Sequence, residues 1–254
     1  MSDIKPHPRK SQADLTREWD RLAQERHRQI SSGEDVSFEN VVLPAVWRLF
    51  EPANKATVLD IGSGTGDFTA RLAKLAGHVI AIEPSPASMT IARRVCRSIS
   101  NVEFVESTLE QAAIDLNQRR VTSAVAVMTL MTTPDLSKFT RALATLLERG
   151  GLFVAIITHP WFWPVYWGYD KEAWFKYDRE IFIEAPFRIS RRRTEIKTTH
   201  VHRPLEQYVN VFAGCGLRLN ALVEPFPPSE VQSLYPTQWQ FPRFLGLRWE
   251  KVGS

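Results

Sequence analysis

Cysteine is scarce in this 254-residue chain: Cys96 and Cys215 lie far apart, with no CxxC and no Cys/His ligand spacing. That excludes a disulfide framework and a standard zinc site, and it points to a reduced, cytoplasmic setting. Long apolar runs are missing too. No stretch approaches the roughly 18 apolar residues of a membrane helix, and residues 1–10 are polar with two prolines, so neither a membrane span nor a targeting segment is expected. There is no excess of charge of one sign: 32 Lys and Arg stand against 28 Asp and Glu. The net +4 is too small and too scattered to imply a nucleic-acid partner. The basic tract Arg191-Arg192-Arg193 is taken as a solvated turn. Repeats and low-complexity tracts are absent. What remains is an ordinary globular composition, 44% hydrophobic and 24% charged. The length suits one α/β domain with insertions, expected over residues 14–254.

After a loose polar start, residues 14–30 place Leu15, Trp19, Leu22 and Ala23 at helical spacing, and Ser31-Ser32-Gly33 stops the run. A second helix is expected over 38–50. The pattern changes at Thr57. Val58-Leu59-Asp60-Ile61 is a short apolar strand, followed by a glycine turn and a helical run through Phe68, Leu72 and Leu75. The unit then repeats in kind, with strands at 79–83, 102–106, 123–128 and 152–157 and helices at 87–97, 109–116 and 136–147. Such alternation predicts a doubly wound, mainly parallel sheet with ligands beyond the carboxyl ends of its strands. A strand-like pair at 181–189 and 194–201 resembles a hairpin joined by the basic turn. A helix at 205–213 ends at Gly214-Cys215-Gly216, and strands at 217–223 and 244–249 close the sheet as an antiparallel hairpin.

The glycine turn, Gly62-Ser63-Gly64-Thr65-Gly66, lets a ligand approach the backbone closely, and the helix after it offers amide donors. Its spacing is GxGxG with Asp67 next, not the GxGxxG of dinucleotide binders, and no GK[ST] follows to make a P-loop. Asp60 precedes the turn. Glu83 ends the second strand, where a carboxylate can accept both hydroxyl hydrogens of a ribose.

In these residues the chain resembles the class I S-adenosylmethionine-dependent methyltransferases. The stretch from Val58 to Gly66 is similar to the first motif of that family, and Ile80-Ala81-Ile82-Glu83-Pro84-Ser85 to the second. Glu106-Ser107-Thr108-Leu109-Glu110, Val127-Met128-Thr129-Leu130-Met131 and the Arg149-Gly150-Gly151-Leu152 turn fit the motifs that follow. The resemblance implies a Rossmann-like fold with S-adenosyl-L-methionine as cofactor. It implies that Gly62, Gly64 and Gly66 pack on its methionine and ribose parts, that Glu83 holds the ribose hydroxyls, and that Pro84 and Met89 flank the adenine. Many relatives bind the adenine amino group with Asp where this chain has Ser107, so Ser107, Thr108 or the backbone is expected there. Asp60, Ser63, Leu109 and Thr129 complete the implied cofactor set.

Methyl transfer from a sulfonium quenches charge on the way to the transition state, so an apolar site and good alignment can carry the catalysis. Between Trp161 and Tyr177 the chain packs nine aromatic side chains, with half of its eight tryptophans. That density exceeds core patterning and predicts a substrate cap over residues 159–202, with Trp163, Tyr166, Trp167 and His200 facing the acceptor. Residues 14–50 are expected as a helical lid, 55–158 as the cofactor core and 203–254 as the rest of the core. A neutral hydroxyl needs a base. His159 follows the fifth strand, and His200 and His202 project from one face of a strand-like run. His202 and His159 are the candidate bases, with the Thr199-His200-Val201-His202-Arg203-Pro204 segment resembling one that borders the substrate pocket in related enzymes.

Other chemistries fit poorly. The [DNS]-P-P-[YFW] tetrad of amino methylation is absent after the fourth strand, as is a Pro-Cys nucleophile. With Asp135 alone there, no metal cluster forms and no metal is expected. The expectation is methylation of oxygen or nitrogen in a small aromatic or heteroaromatic acceptor, by a monomer or homodimer. A quinone or lipid-like acceptor, or a module that holds the cofactor without transferring it, stays open.

Overall fold

The alternation of short apolar runs with helical stretches folds around a single switch point. The computed structural model describes residues 3–116, 119–190 and 192–252; Arg191, the first residue of the basic tract, and Met1 and Ser2 lie outside them. In chain order the elements of the main sheet and its helices are β2 (Thr57–Ile61), α3 (Asp67–Leu72), β3 (His78–Ile82), α4 (Pro86–Val95), β4 (Val102–Val105), α5 (Leu109–Asp115), β5 (Val121–Val127), α6 (Leu136–Leu146) and β6 (Leu147–Thr158). After a cap come α8 (Leu205–Ala213), β9 (Leu217–Val223), α9 (Ser229–Gln232) and β10 (Phe244–Lys251). The strands form one seven-stranded sheet in the order β4-β3-β2-β5-β6-β10-β9. β2 pairs in parallel with β3 on one side and β5 on the other, so strand order reverses where the glycine turn leaves β2. β10 is antiparallel to both β6 and β9, which gives the expected closing hairpin.

Period-two patterning explains why both faces are covered. Leu59, Ile61, Ile80 and Phe153 join one buried cluster, while Val58, Val79, Val125 and Val154 join the other. In the first, the Phe153, Phe212 and Trp249 rings stack with centroids 4.3 to 5.5 Å apart. Each such side chain contributes on the order of 1.5–3 kcal/mol by leaving water.

A second, three-stranded sheet has the order β1-β7-β8, built from β1 (Lys5–His7), β7 (Ile181–Ile189) and β8 (Arg192–His202). The hairpin of β7 and β8 was expected; β1 was not. The supposedly loose start pairs antiparallel with β7, Lys5 opposite Glu184. The Lys10 ammonium then sits 2.5 Å from Glu18 and 2.9 Å from Glu184. Nothing local in Lys5-Pro6-His7 encodes a strand; the pairing is set by its neighbours.

Helix α1 (Gln12–Ser31) begins with a capping box of Ser11 and Asp14, worth on the order of 1 kcal/mol. It bridges the two sheets. Asp20 accepts bonds from the Ser85 hydroxyl (2.6 Å) and the Ala87 amide (3.1 Å) at the start of α4, while Glu18 accepts from the Thr199 amide (2.7 Å) of β8.

Several boundaries differ from expectation. The expected helix over 38–50 is a π-turn at Phe38–Val42 followed by α2 (Leu43–Phe50). Pro44 has no amide hydrogen for a bond four residues back, and the Leu43 amide reaches five back to Phe38. Helix α3 stops at Leu72, leaving Leu75 exposed, because the chain must turn into β3. The Arg149-Gly150-Gly151-Leu152 turn lies inside β6 as an irregularity, with Gly150 at φ +76° and the register shifting against β5.

Candidate functional site

Two adjoining cavities open at the carboxyl edge of the main sheet. The first is built from main chain. Leaving β2, the turn puts Gly62, Gly64 and Gly66 at φ +69°, +54° and +82°, a region that side chains disfavour. A Cβ on Gly62 would lie 2.5 Å from the Thr129 hydroxyl, and one on Gly66 would lie 2.8 Å from the Ala92 backbone of α4. The loop is therefore held from both sides. At its tip, the Gly64 amide donates to one oxygen of Glu83 (3.0 Å), and the Ser85 amide donates to the other (2.8 Å).

Glu83 lies just past β3 with its own amide bonded to the Val105 carbonyl. It is buried, lines the cavity and keeps lone pairs free for further donors. Burial pushes its carboxyl up to about 7 against the pull of the two amide bonds, and Asp60 and Asp20 add to the rise. Asp60 is likewise pushed to about 7 by burial, opposed by the Thr69 hydroxyl at 2.7 Å.

The sequence named twelve residues for this cavity, and nine line it: Asp60, Gly62, Ser63, Gly64, Glu83, Pro84, Thr108, Leu109 and Thr129. Gly66, Met89 and Ser107 are not among its walls. Gly66 permits the close approach of α3 and α4, Met89 is a fully buried residue of α4, and the Ser107 hydroxyl bonds the Thr108 carbonyl. The structure adds a roof that the motifs did not name: Leu15, Trp19, Ala23 and Arg26, spaced along one face of α1. Residues 14–50 were expected as a lid across the cofactor, and these four α1 side chains stand over the cavity as that expectation had it, although no motif had named them one by one.

The second cavity is built from side chains. The helix α7 (Phe162–Trp167) supplies Trp163, Tyr166 and Trp167, and β8 supplies His200, so the four expected acceptor-side residues share one wall. Trp163 and Trp167 lie 5.4 Å apart, and Trp167 meets the His200 ring edge-on at 5.4 Å. Burial pushes His200 down to about 3, so it is neutral at physiological pH. Its Nε2 is 3.0 Å from the Tyr169 hydroxyl, which burial also keeps protonated. Trp19, Arg26, Met128 and Thr132 belong to both cavities and mark where they meet. Met128, at φ +58°, is the single non-glycine residue among those described in the left-handed region. Its strained backbone sits at the junction.

Neither candidate base reaches either cavity. His202 donates through Nε2 to the Tyr177 carbonyl (3.0 Å) and lies between the rings of Phe175 and Tyr177. His159 uses both nitrogens: Nε2 pairs with Glu224 at 2.9 Å, and Nδ1 accepts from the Trp161 and Phe162 amides, which caps α7. Both are lowered by burial, against a bond to Tyr177 in one and to Glu224 in the other. They border a small void between cap and sheet instead. The face-sharing of His200 and His202 holds, but β8 runs on past the cavity before His202 is reached.

The glycine turn and most of the walls of the first cavity lie on a stretch with known relatives. Residues 58–151 match the family model described as a methyltransferase domain. Over nearly the full length, the solved DhpI-SAH complex superposes with a TM-score of 0.63 at 18% identity, covering 96% of this chain and 100% of that one. This is the α/β Rossmann-like methyltransferase fold. Among curated proteins, an rRNA adenine N-6-methyltransferase of Bacteroides fragilis is 31% identical over 83 residues, 33% of this chain and 31% of its own length. A ubiquinone biosynthesis O-methyltransferase of Methylocella silvestris is 30% identical over 105 residues, 41% and 40% respectively. The chain thus spans well under half the length of these curated relatives. The matched methyltransferase domain contains the glycine turn, Glu83 and Thr129, and leaves out α1 and the aromatic cap.

The site fits S-adenosylmethionine on its own features. The glycine cradle leaves backbone room that a Cβ would fill, Glu83 offers spare lone pairs, and the buried Ser63 hydroxyl lines the cavity with no partner. Among the described residues no group of His, Cys, Asp and Glu could hold a metal ion, and no helix is long and apolar enough to cross a membrane.

Proposed function

We propose that this chain transfers a methyl group from S-adenosylmethionine to an oxygen or nitrogen of a small aromatic or heteroaromatic acceptor. The observation that carries the reading is the junction at Trp19, Arg26, Met128 and Thr132, where a glycine-built cavity opens onto an aromatic one. When bound, S-adenosylmethionine supplies an electrophilic methyl on a positively charged sulfur. Glu83 accepts the ribose hydroxyls, the Gly62 to Gly64 backbone and Ser63 face the methionine part, and Pro84 and Leu109 wall the adenine. On the other side, Trp163, Tyr166 and Trp167 stack on the acceptor and exclude water, which favours a transition state with less charge than the ground state.

The four residues shared by the two cavities include no carboxylate and no histidine. The protein therefore works by alignment, worth several powers of ten in rate when the reacting atoms are held in place. Its acceptor arrives as an anion or a neutral amine. A small molecule is favoured over nucleic acid because the acceptor walls are aromatic and the net charge is only +4. The apolar walls also support a quinone or lipid-like precursor, and the name of the Methylocella silvestris relative supports that second reading.

Calorimetry with S-adenosylhomocysteine and NAD, followed by a methyl-transfer screen over phenols, carboxylic acids, heterocycles and quinols, tests the proposal. Binding of the first ligand and not the second, with turnover of one acceptor class, is the expected result. Binding without any turnover leaves a non-catalytic cofactor-holding module. Tight NAD binding with none for S-adenosylhomocysteine overturns the reading.

A further inference from the structure

The acceptor cavity carries two positive charges that its walls do not neutralise. Arg188 of β7 and Arg243, just ahead of β10, both line it. Arg243 is only 5% exposed, and the Nε of Arg188 is buried with no hydrogen-bond partner. Among the described residues neither guanidinium has a carboxylate within ion-pair distance. They lie over rings instead: Arg188 is 4.5 Å from the centre of Trp167 and 5.3 Å from Tyr166, and Arg243 is 3.9 Å from Tyr166 and 4.4 Å from Trp239. Tyr166 thus touches both cations.

Arg203 shows what a structural arginine looks like in the same molecule. Fully buried, it bonds Glu180 at 2.7 Å and the carbonyls of Leu130 and Thr133 at 3.0 and 2.6 Å. Among the described residues the Arg243 guanidinium donates a single hydrogen bond, to the Thr237 carbonyl at 3.1 Å, so most of its five donors are idle. The carboxylate that does line the cavity, Asp35, is taken by Arg26 at 2.6 Å and by the Phe38 amide. Ring faces offset only part of the cost of burying a cation. Burial disfavours the charge on both arginines, and Arg188 adds to the effect on Arg243. Guanidinium is too basic to escape by losing its proton.

Planar guanidiniums with free donors are suited to two-oxygen anions. We propose that the acceptor bears a carboxylate or phosphoryl group that seats between Arg188 and Arg243 while its ring lies against Trp163 and Trp167. Neither arginine lines the cofactor cavity, so this anion is the handle by which the molecule is held, and the methylated atom is at its other end, toward Trp19 and Met128. The word acceptor rests on the methyltransferase reading; the anion site does not.

Matched aromatic probes test it. Benzoate, phenyl phosphate and neutral benzamide are titrated into the full chain saturated with S-adenosylhomocysteine, read by tryptophan fluorescence, since Trp163, Trp167 and Trp239 surround the site. One or both anions bind about 10- to 100-fold tighter than benzamide, and that preference shrinks as salt is raised. Arg243→Gln and Arg188→Gln each lose about tenfold or more of the anion affinity, with benzamide and S-adenosylhomocysteine affinities unchanged. Equal binding of benzamide and the anions by the unmodified protein overturns the proposal without recourse to any variant. If S-adenosylhomocysteine itself fails to bind, the methyltransferase reading falls; if it binds and the anion preference is absent, only the anion site does.

Discussion

The two cavities share a border and differ in material. One is shaped by backbone: three glycines in the left-handed region, amides aimed at Glu83, a loop locked on Thr129 and Ala92. The other is shaped by side chains on a separate three-stranded sheet and a one-and-a-half-turn helix, with rings and guanidiniums facing inward. Backbone geometry tolerates little change, because a Cβ in the wrong place displaces main chain. Side-chain walls can be exchanged without moving the frame. The glycine-built end is thus fixed by the fold, while the aromatic end can exchange its walls without disturbing it.

The hardest blow to that distinction is a methyl group on the turn. Gly66→Ala is expected to cost about 3 kcal/mol of stability, from positive φ and the contact with Ala92 at 2.8 Å. Urea unfolding measures it; a cost below about 1 kcal/mol would show that the turn is more pliable than its contacts imply.

Next comes Glu83→Ala, which is expected to weaken S-adenosylhomocysteine binding by about 1.5–3 kcal/mol while leaving benzoate binding in place. The same residue sets a pH effect. Burial holds Glu83 and Asp60 at about 7, above ordinary values of 4.5 and 3.8. Between about pH 4 and pH 7 the unfolded chain has lost these protons and the folded chain keeps them, so stability falls as pH rises through that window. Hydroxyl donors favour the carboxylate, so ligand affinity rises over the same window and levels off above it. Calorimetry in buffers of different ionisation enthalpy reads the released proton, and affinity flat from pH 5 to 8 would remove Glu83 from the contact.

Trp167→Ala strikes the other side: the acceptor KM is expected to rise about tenfold or more, with cofactor affinity within a factor of two, as removal of one stacked ring should do. Loss of cofactor binding instead would make the cap a structural roof. The smallest effects are expected of His202→Gln and His159→Gln. Turnover should fall less than about threefold, against the 10²- to 10⁴-fold of a lost general base. A bell-shaped pH profile that one of them flattens would restore that histidine as a base.

The same contrast explains what could be read in advance. The parallel sheet, the glycine turn and the closing hairpin follow from alternating apolar and helical runs and from glycine spacing, signals that depend on a few adjacent residues, and Glu83 was marked by its place at the end of the second strand. Trp163, Tyr166 and Trp167 were visible as a dense aromatic tract. Arg188 and Arg243 carried no signal, because each matters only through the partner it lacks, and that is a property of the fold. His159 shows the converse error. Its position at the strand edge was right, but Glu224, from beyond β9, and the start of α7 claim its two nitrogens.

One bridge in the molecule bears on its mechanics. Glu18 is bound to β8 of the cap and Asp20 to the start of α4, with Trp19 between them bordering both cavities. Any displacement of α1 would strain the Thr199 contact, and any displacement of β8 would strain the helix that walls the first cavity. The walls of the two chambers are therefore yoked through a single turn of helix.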